Sequence, residues 1–255
     1  MKYYSFLLVF YLLAKFSGQA QSVGTLTYKQ GKGKSQAVAF AIDRDVYNGI
    51  LYNGASAEAW DLFPSSSRFH NKSLDDLYKR NVTRSKQLLT EAGLPNGFRF
   101  TMAVGPAAVP NMEVIQNQLK DAGIDMAITV SNNTGADYYT TARFDATMSQ
   151  SRPGPWDKVS RFYLSDSFSN ACKYPVPQVD SLYAKVAGLA LDDPAAVPAW
   201  QKLSEVIFKD LAFFPQITWT IAGYGYNQTQ FGRLVTYVDQ LGTRRVDPVG
   251  TYIKK

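Results

Sequence analysis

Two consecutive units, each a helix followed by a strand, constrain the fold of this chain more than any other feature of its sequence. In the first unit, a helical periodicity that Thr83 can cap ends at Gly93, and Phe98–Val104 then alternates as a strand does. In the second, helical spacing stops at Gly123 and Ile124–Val130 is strand-like. Strands that alternate with helices predict an α/β layer with parallel pairing.

An earlier apolar stretch, residues 36–44 (QAVAFAIDR), predicts a buried helix that a charged turn closes. Ser35 is its predicted N-cap, because a serine hydroxyl can accept a hydrogen bond from a free N–H of the first turn. Val46 and Ile50 continue the helical spacing, and Asn53–Gly54 ends the unit. The polar, Gly-rich residues 21–34 before it predict a linker or an edge strand.

The N-terminal residues 1–20 have the layout of a secretory signal peptide. Lys2 supplies a positive charge, residues 6–14 are apolar, and Gly18 and Ala20 are small residues before a cleavage point after Ala20. Spanning a bilayer takes about 20 apolar residues, so this run is too short for that. No Cys lies near the cut, which excludes a bacterial lipid anchor there. The expected protein is therefore exported, periplasmic or secreted; the alternative for this segment is an ordinary buried helix or strand.

Residues suited to catalysis or metal binding are scarce. Cys172 and His70 are the sole residues of their types, so the chain has no internal disulfide and His70 lacks neighbouring ligands. No G-x-S-x-G motif is present. The adjacent pairs Asp75–Asp76 and Asp192–Asp193 are poor acid/base dyads because neighbouring residues of a helix point in different directions. We expect no catalytic residue, no metal and no cofactor.

The net charge of +6 is spread over scattered Lys and Arg residues. No RNA-binding motif or Cys/His finger accompanies them, so we expect no nucleic-acid partner.

The best candidate for a binding site is the Pro/Gly-containing loop of residues 149–157 (SQSRPGPWD), which follows a predicted strand over 144–148. Loops at strand ends are where α/β proteins bind ligands. Arg152, Trp156 and Asp157 bring a cation, an aromatic face and an anion together there. The alternative is that Trp156 fills the core and Asp157 caps the following helix.

Two further candidates lie downstream. Trp219 ends a predicted strand, 213–219, that leads into an aromatic cluster with Tyr224 and Tyr226. Such clusters more often pack than bind, so a role in the core is the alternative for them. Asn170 precedes a polar link and is included as a ligand-binding residue.

Taken in order, residues 36–232 resemble the C-terminal part of the family 5 solute-binding proteins of ABC transporters, the peptide/nickel type. The blocks that carry the resemblance are QAVAFAIDRDVYNGILYNG, KQLLTEAGLPNGF, IQNQLKDAGIDMAI, the FDATMS strand with its Pro/Gly/Trp loop, YPVPQVDSLYAKV and WQKLSEVIFKDLAFFPQI. The resemblance implies a periplasmic-binding-protein-like α/β lobe whose mixed, mostly parallel sheet is flanked by helices. It also implies binding rather than catalysis: two lobes close around a peptide, metal complex or other small solute, which is delivered to a permease.

The resemblance also predicts the domain organisation. Residues 35–231 would form the C-terminal lobe, and residues 232–255 a tail that packs on a first lobe. Family members carry that first lobe before the QAVAFAIDR helix, and it is missing here. The function expected is that of a truncated solute receptor. The alternatives are a divergent interaction domain that binds no solute, or one half of a split receptor with a separate N-terminal lobe.

Within the loop, the expected roles follow from side-chain chemistry. Arg152 would hold a carboxylate or phosphate of the solute bidentately, Trp156 would stack on it, and Asp157 would take an amine or hydroxyl. Peptide-binding members of the family place an acidic residue shortly after the loop tryptophan. Asp157 follows Trp156 directly, which is not the usual spacing and leaves the solute class open.

Overall fold

A mixed six-stranded sheet organises the molecule. The computed structural model describes residues 2–10, 28–141, 143–151, 155–167, 175–211, 216–222, 231–233, 236–238, 244–246 and 252–253. In the sheet the strands lie in the order β2-β6-β1-β5-β3-β4. Their bounds are β1 (Lys2–Phe10), β2 (Ala57–Glu58), β3 (Phe98–Val104), β4 (Ile124–Val130), β5 (Ala146–Ser151) and β6 (Gln216–Ala222).

Helices accompany the sheet along the described chain. They are α1 (Tyr28–Ala41), α2 (Arg44–Tyr52), α3 (Val82–Glu91), α4 (Val109–Lys120), α5 (Pro155–Phe162), α6 (Pro177–Ala187) and α7 (Ala196–Glu205), which Val206–Leu211 extends as a π-helical turn. Shorter helical turns cover Lys72–Leu74, Pro106–Ala108 and Gly135–Thr140. None of the described helices is long and apolar enough to cross a membrane. The predicted α/β layer of a sheet flanked by helices is confirmed.

The parallel part of the sheet is β3, β4 and β5. β3 pairs with β4 along its whole length, from Phe98 opposite Ile124 to Val104 opposite Val130. The bounds predicted for these two strands are confirmed, because each strand follows a glycine that ends a helical segment. Gly93 has a φ of +80°, a left-handed conformation that costs glycine little. The N–H groups of Gly93 and Leu94 donate to backbone carbonyls in the last turn of α3, which ends the helix.

Strand β1 joins this parallel part to an antiparallel part made of β6 and β2. Residues 5–10 of β1 pair with β5, and residues 2–7 pair with β6, both antiparallel. Residues 2–10, which include the predicted signal peptide's Lys2 and the first five residues of its apolar run, therefore form a central strand. This agrees with the alternative interpretation of the segment as an ordinary strand, and cleavage after Ala20 stays a prediction.

Helix α1 begins at Tyr28, seven residues before its predicted cap, so the predictions of a linker up to residue 34 and of Ser35 as N-cap are wrong. Ser35 lies inside the helix and is buried. Packing explains the difference. A Cβ on Gly33 would lie 3.4 Å from the Ala92 Cβ, so the glycine allows α1 to approach α3 closely. This contact outweighs the low helix propensity of glycine.

Two other local expectations are corrected by the structure. The N-cap of α3 is Asn81, whose side chain accepts a hydrogen bond from the Arg84 N–H at 2.9 Å, so Thr83 lies within the helix. On α2, Val46 and Ile50 are 47% and 61% exposed, although their spacing predicts an inward face. The inward face of α2 carries Tyr47 instead.

The core of the described residues has two large clusters and a small third one, formed by Ala39 and Tyr78. The sheet cluster lies between the sheet and α1, α3 and α4; its buried members include Ile42, Leu89, Met102, Ile115, Met126 and Ile217. The helical cluster gathers α5, α6, α7 and the segment after β2; its buried members include Phe63, Phe69, Phe162, Trp200, Leu203 and Ile207. The inward positions predicted for the last long helix, from Leu203 to Leu211, are confirmed.

The described residues near the C-terminus form two small antiparallel ladders. β7 (Phe231–Arg233) pairs with β10 (Tyr252–Ile253), and β8 (Thr236–Val238) pairs with β9 (Arg244–Val246). The strand predicted over 234–238 corresponds to β8. The expectation that this stretch is a poorly ordered tail against a missing lobe stays a prediction.

Candidate functional site

The carboxyl ends of the parallel strands meet at one edge of the sheet. β3 ends at Val104, β4 at Val130 and β5 at Ser151. The N–H of Ser131 donates to the carbonyl of Val104 at 2.8 Å, which holds the first two strand ends together. Ligands of open α/β sheets bind in the crevice outside this edge, so the segments that follow the three strands are the candidate binding face.

The segment after β5 is shorter than its sequence predicts. Ser151 still belongs to β5, and α5 begins at Pro155. Proline suits the first position of a helix, since its fixed φ matches the helix and its missing N–H has no partner to lose there. Trp156 and Asp157 thus lie in the first turn of α5 rather than in a loop. Arg152 lies outside the described residues.

Trp156 packs against the helical cluster. Its ring meets the buried ring of Trp200 edge to face, with centroids 5.3 Å apart and an interplanar angle of 84°. The Tyr183 hydroxyl donates to its carbonyl at 3.3 Å. Trp156 is half-buried, so part of its surface stays open to a solute. These contacts favour the alternative in which Trp156 fills the core. Asp157, at the start of the same helix, lies where the helix dipole stabilises a negative charge.

The register of the sheet brings Trp219 to the level of the β5 end. Ser5 of β1 pairs with Ser151 on one side and with Trp219 on the other. Adjacent strands lie about 4.8 Å apart, so the backbones of Ser151 and Trp219 are roughly 10 Å apart in one row. The structure therefore places Trp219 level with the end of β5, the strand that precedes Trp156 and Asp157 in the sequence. Asn170 lies outside the described residues.

A polar cluster after β4 also lies at this edge, and the sequence analysis did not single it out. The Ser131 hydroxyl donates to an Asp137 carboxylate oxygen at 2.6 Å, and the Asn133 N–H donates to the Ser131 hydroxyl at 3.0 Å. Arg143 lies 3.1 Å from the other Asp137 oxygen. The sequence does contain an indication of this cluster, because the polar run SNNTGAD directly follows a predicted strand. The rule that loops at strand ends bind ligands, which selected residues 149–157, applies to it as well.

A second unpredicted cluster surrounds Glu58 on β2. A Glu58 carboxylate oxygen accepts a hydrogen bond from the Trp60 indole N–H at 2.8 Å. The buried Arg44 guanidinium lies over the Trp60 ring, 4.1 Å from its centroid, and donates to the Tyr78 carbonyl at 3.1 Å. Burial raises the pKa of Glu58 to about 7; the neighbouring Asp45 carboxyl also raises it, and Arg44 opposes the shift.

This cluster borders the row that contains Trp219. Ala57 pairs with Trp219, and Glu58 pairs with Thr218. A half-buried carboxyl with a raised pKa therefore lies one residue along the sheet from a predicted site residue. Nothing in the sequence indicated it, because Asp45 and Glu58 come from different elements.

His70 lies between two carboxylates. Its Nδ1 lies 3.3 Å from the buried Asp61 carboxylate and its Nε2 lies 2.9 Å from Asp75. The Asp61 side chain raises the pKa of His70, and burial acts against it. The Gln201 side chain donates to the His70 carbonyl at 3.0 Å, which ties the segment to α7. Within the described residues no group of three or more His, Cys, Asp or Glu side chains is arranged to hold a metal ion.

Comparisons with known proteins agree with this architecture. The profile of the bacterial extracellular solute-binding proteins, family 5 (middle region), matches residues 35–172, more than half of the chain. Heme-binding protein A of Haemophilus influenzae is 34% identical over 79 residues, which is 30% of this chain and 14% of that protein. The dipeptide-binding protein of Escherichia coli is 30% identical over 95 residues, 35% of this chain and 18% of that protein.

The solved structure of HbpA2 from Haemophilus parasuis has the same fold. It superposes with a TM-score of 0.72 at 17% identity and covers 100% of this chain and 48% of that one. This chain thus spans about half the length of that protein, and its matches cover less than a fifth of the two sequence relatives. The fold and the matched profile agree: the chain belongs to the bacterial extracellular solute-binding proteins of family 5.

Proposed function

We propose that this chain forms one wall of the solute site of an ABC-transporter receptor, and that it binds a peptide or another small solute for delivery to a permease. Relatives named for binding heme and dipeptides support a binding role without catalysis. The family is extracellular by description, which supports a periplasmic or secreted location.

One observation carries the proposal: the row of the sheet that runs from Ser151 through Ser5 to Trp219. In this row the end of β5 and the middle of β6 lie at the same level. A small solute that lies over Ser5 contacts both outer strands, whose backbones are roughly 10 Å apart.

The proposed contacts combine charge and apolar surface. Asp157 accepts an amine or hydroxyl of the solute, Arg152 holds a carboxylate or phosphate, and Asn170 adds a hydrogen bond. Trp219 offers an apolar face, and Trp156 contributes the part of its ring that Trp200 does not cover.

A second wall is part of this proposal. Receptor sites bury most of a solute's surface, which one lobe cannot do. This chain covers about half of the HbpA2 structure. We therefore propose that a second lobe, on the same polypeptide or on a separate one, closes over the carboxyl edge, and that the isolated wall binds its solute weakly. A divergent domain that binds no solute remains the competing function.

The test is a titration of the isotopically labelled chain with trialanine, followed by NMR chemical shifts. We expect weak, saturable shifts at residues next to Ser131 and Ser151, in the first turn of α5, and at the Trp219 indole. Asp157→Asn should weaken the affinity about fivefold, because a neutral hydrogen bond replaces a charge-assisted one.

Asp166→Asn is the matched control, since Asp166 is exposed in the turn after α5. It should leave the affinity unchanged. Shifts that cluster around Gly97 and Gly123, at the opposite edge of the sheet, would overturn the placement of the site. Absence of any saturable shift with trialanine and with hemin would favour the domain that binds no solute.

A further inference from the structure

The space between β5 and β6 has the geometry of a receptor for an extended polypeptide backbone. We propose that it is a strand-binding site, that Lys2–Phe10 is its occupant in this chain, and that an extended strand supplied by another polypeptide can replace that segment. The ligand class is an extended peptide recognised through its main chain.

β1 pairs with a strand on each of its two sides. β1 runs antiparallel to both neighbours, from Ser5 opposite Ser151 to Phe10 opposite Ala146 on the β5 side. On the β6 side it runs from Lys2 opposite Ala222 to Leu7 opposite Gln216. The N–H and C=O groups of a central strand point alternately to both neighbours, so one inserted strand satisfies both facing edges.

The pairings of β5 and β6 with their other neighbours are short. Within the described chain, β5 pairs with β3 through Ala146 and Thr147 alone. β6 pairs with β2 through Trp219 and Thr218 alone. Without β1, most of β5 and β6 would present unpaired main-chain groups, and such edges readily take up an added strand.

The position of the occupant in the sequence links this site to processing of the chain. Residues 2–10 fall inside the segment predicted as a signal peptide, so cleavage after Ala20 would detach the occupant. The same row, Ser151–Ser5–Trp219, carries the proposed solute site. Filling the strand site thus sets the distance between the two sides of that wall.

The first experiment uses the full chain with a specific protease site placed between Ala20 and Gln21. After cleavage the N-terminal fragment should co-elute with the remainder in size-exclusion chromatography. A fluorescent synthetic peptide of residues 2–10 should then exchange into the complex, and the same peptide with Phe6→Pro should not, because proline lacks the N–H and breaks the ladder. Immediate separation of the fragment, or equal uptake of both peptides, would overturn the proposal.

The second experiment measures hydrogen exchange in the uncut chain. Tyr4 pairs with Thr220 of β6, and Leu8 pairs with Met148 of β5. Tyr4→Pro should speed exchange in Gln216–Ala222 about tenfold, and Leu8→Pro should do so in Ala146–Ser151. The matched variants Tyr4→Phe and Leu8→Ile keep the N–H and should leave exchange unchanged.

Exchange in β3 and β4 is the internal reference, because these strands pair with each other along their length. Proline variants that leave both target strands as protected as before would show that β1 does not occupy the site. Uniform loss of protection in all strands points to global unfolding, and the cleavage experiment, which leaves the strand residues intact, then decides the matter.

Discussion

At Glu58, burial and a neighbouring carboxyl act in the same direction. Both raise the pKa of Glu58, to about 7, and Arg44 only partly compensates. The charged groups that act on it are Asp45 and Arg44. A carboxyl whose folded pKa lies above its unfolded value binds its proton more tightly in the folded state. Its contribution to stability is full below the ordinary pKa and is lost as the pH rises through about 7.

We therefore predict that Glu58→Gln makes the protein more stable than the wild type at pH 8, by about 1 kcal/mol after solvent screening, and leaves it nearly equal at pH 4. The glutamine can still accept the Trp60 hydrogen bond. The measurement is the free energy of unfolding in urea from pH 4 to pH 8.5. Glu113→Gln, on the exposed face of α4, is the control and should show no such trend. If the unfolding free energies of the wild type and the Glu58→Gln variant depend on pH in the same way, the pKa of Glu58 is not raised in the folded protein.

Only part of the candidate site could be predicted from the sequence. Trp156 and Asp157 could be predicted as site residues because they follow a predicted strand within a few positions. The contact between Trp156 and Trp200 could not be predicted, since the two residues lie 44 positions apart in the sequence. Glu58 and Asp45 could not be paired from sequence either, because their approach depends on how β2 docks beside α2. Local rules find strand ends, and long-range packing decides which side chains meet there.

Among the elements, the two turns that lead into β3 and β4 support each other. Gly97 and Gly123 have φ values of +81° and +80°. A Cβ on Gly97 would overlap the carbonyl oxygen of Gly123, whereas a Cβ on Gly93 would meet nothing within 4 Å. Both Gly93 and Gly97 need a left-handed backbone, but only Gly97 also needs an absent side chain.

We predict that Gly97→Ala costs more than about 3 kcal/mol of unfolding free energy, because conformational strain adds to a backbone clash. Gly93→Ala, the matched variant, should cost about 1 kcal/mol, from strain alone. Urea denaturation followed by circular dichroism measures both. Equal losses in the two variants would mean that the turns do not touch as closely as the structure indicates.

The elements also separate what is local from what is not. The bounds of β3 and β4 follow from short-range signals, a helix-ending glycine and strand-like alternation, and the sequence predicts them. The start of α1 depends on the contact of Gly33 with Ala92, and β1 depends on two partners more than 130 positions downstream. Nothing near residues 2–10 encodes those partners, so an apolar run with one flanking lysine predicts a leader equally well.

On the scale of the molecule, the sheet cluster and the helical cluster meet at Tyr78. Its ring contacts Phe40 of α1 edge to face, with centroids 5.1 Å apart. Its hydroxyl donates to the Phe208 carbonyl at 2.7 Å, in the π-helical turn after α7. Its own carbonyl accepts from Arg44. One side chain thus touches elements of both clusters, and cooperativity between the clusters depends on contacts of this kind.

We predict that Tyr78→Ala uncouples the two clusters. The change removes a buried ring and leaves the Phe208 carbonyl without its donor, at a cost of about 3–5 kcal/mol. Urea-dependent hydrogen exchange should then report different opening free energies for residues 98–130 and 177–211, where the wild type reports one. Tyr183→Ala is the matched control: Tyr183 packs within the helical cluster and bonds to Trp156, so its loss should lower both free energies together. Identical opening free energies in the Tyr78→Ala variant would mean that the two clusters are coupled through the sheet and not through Tyr78.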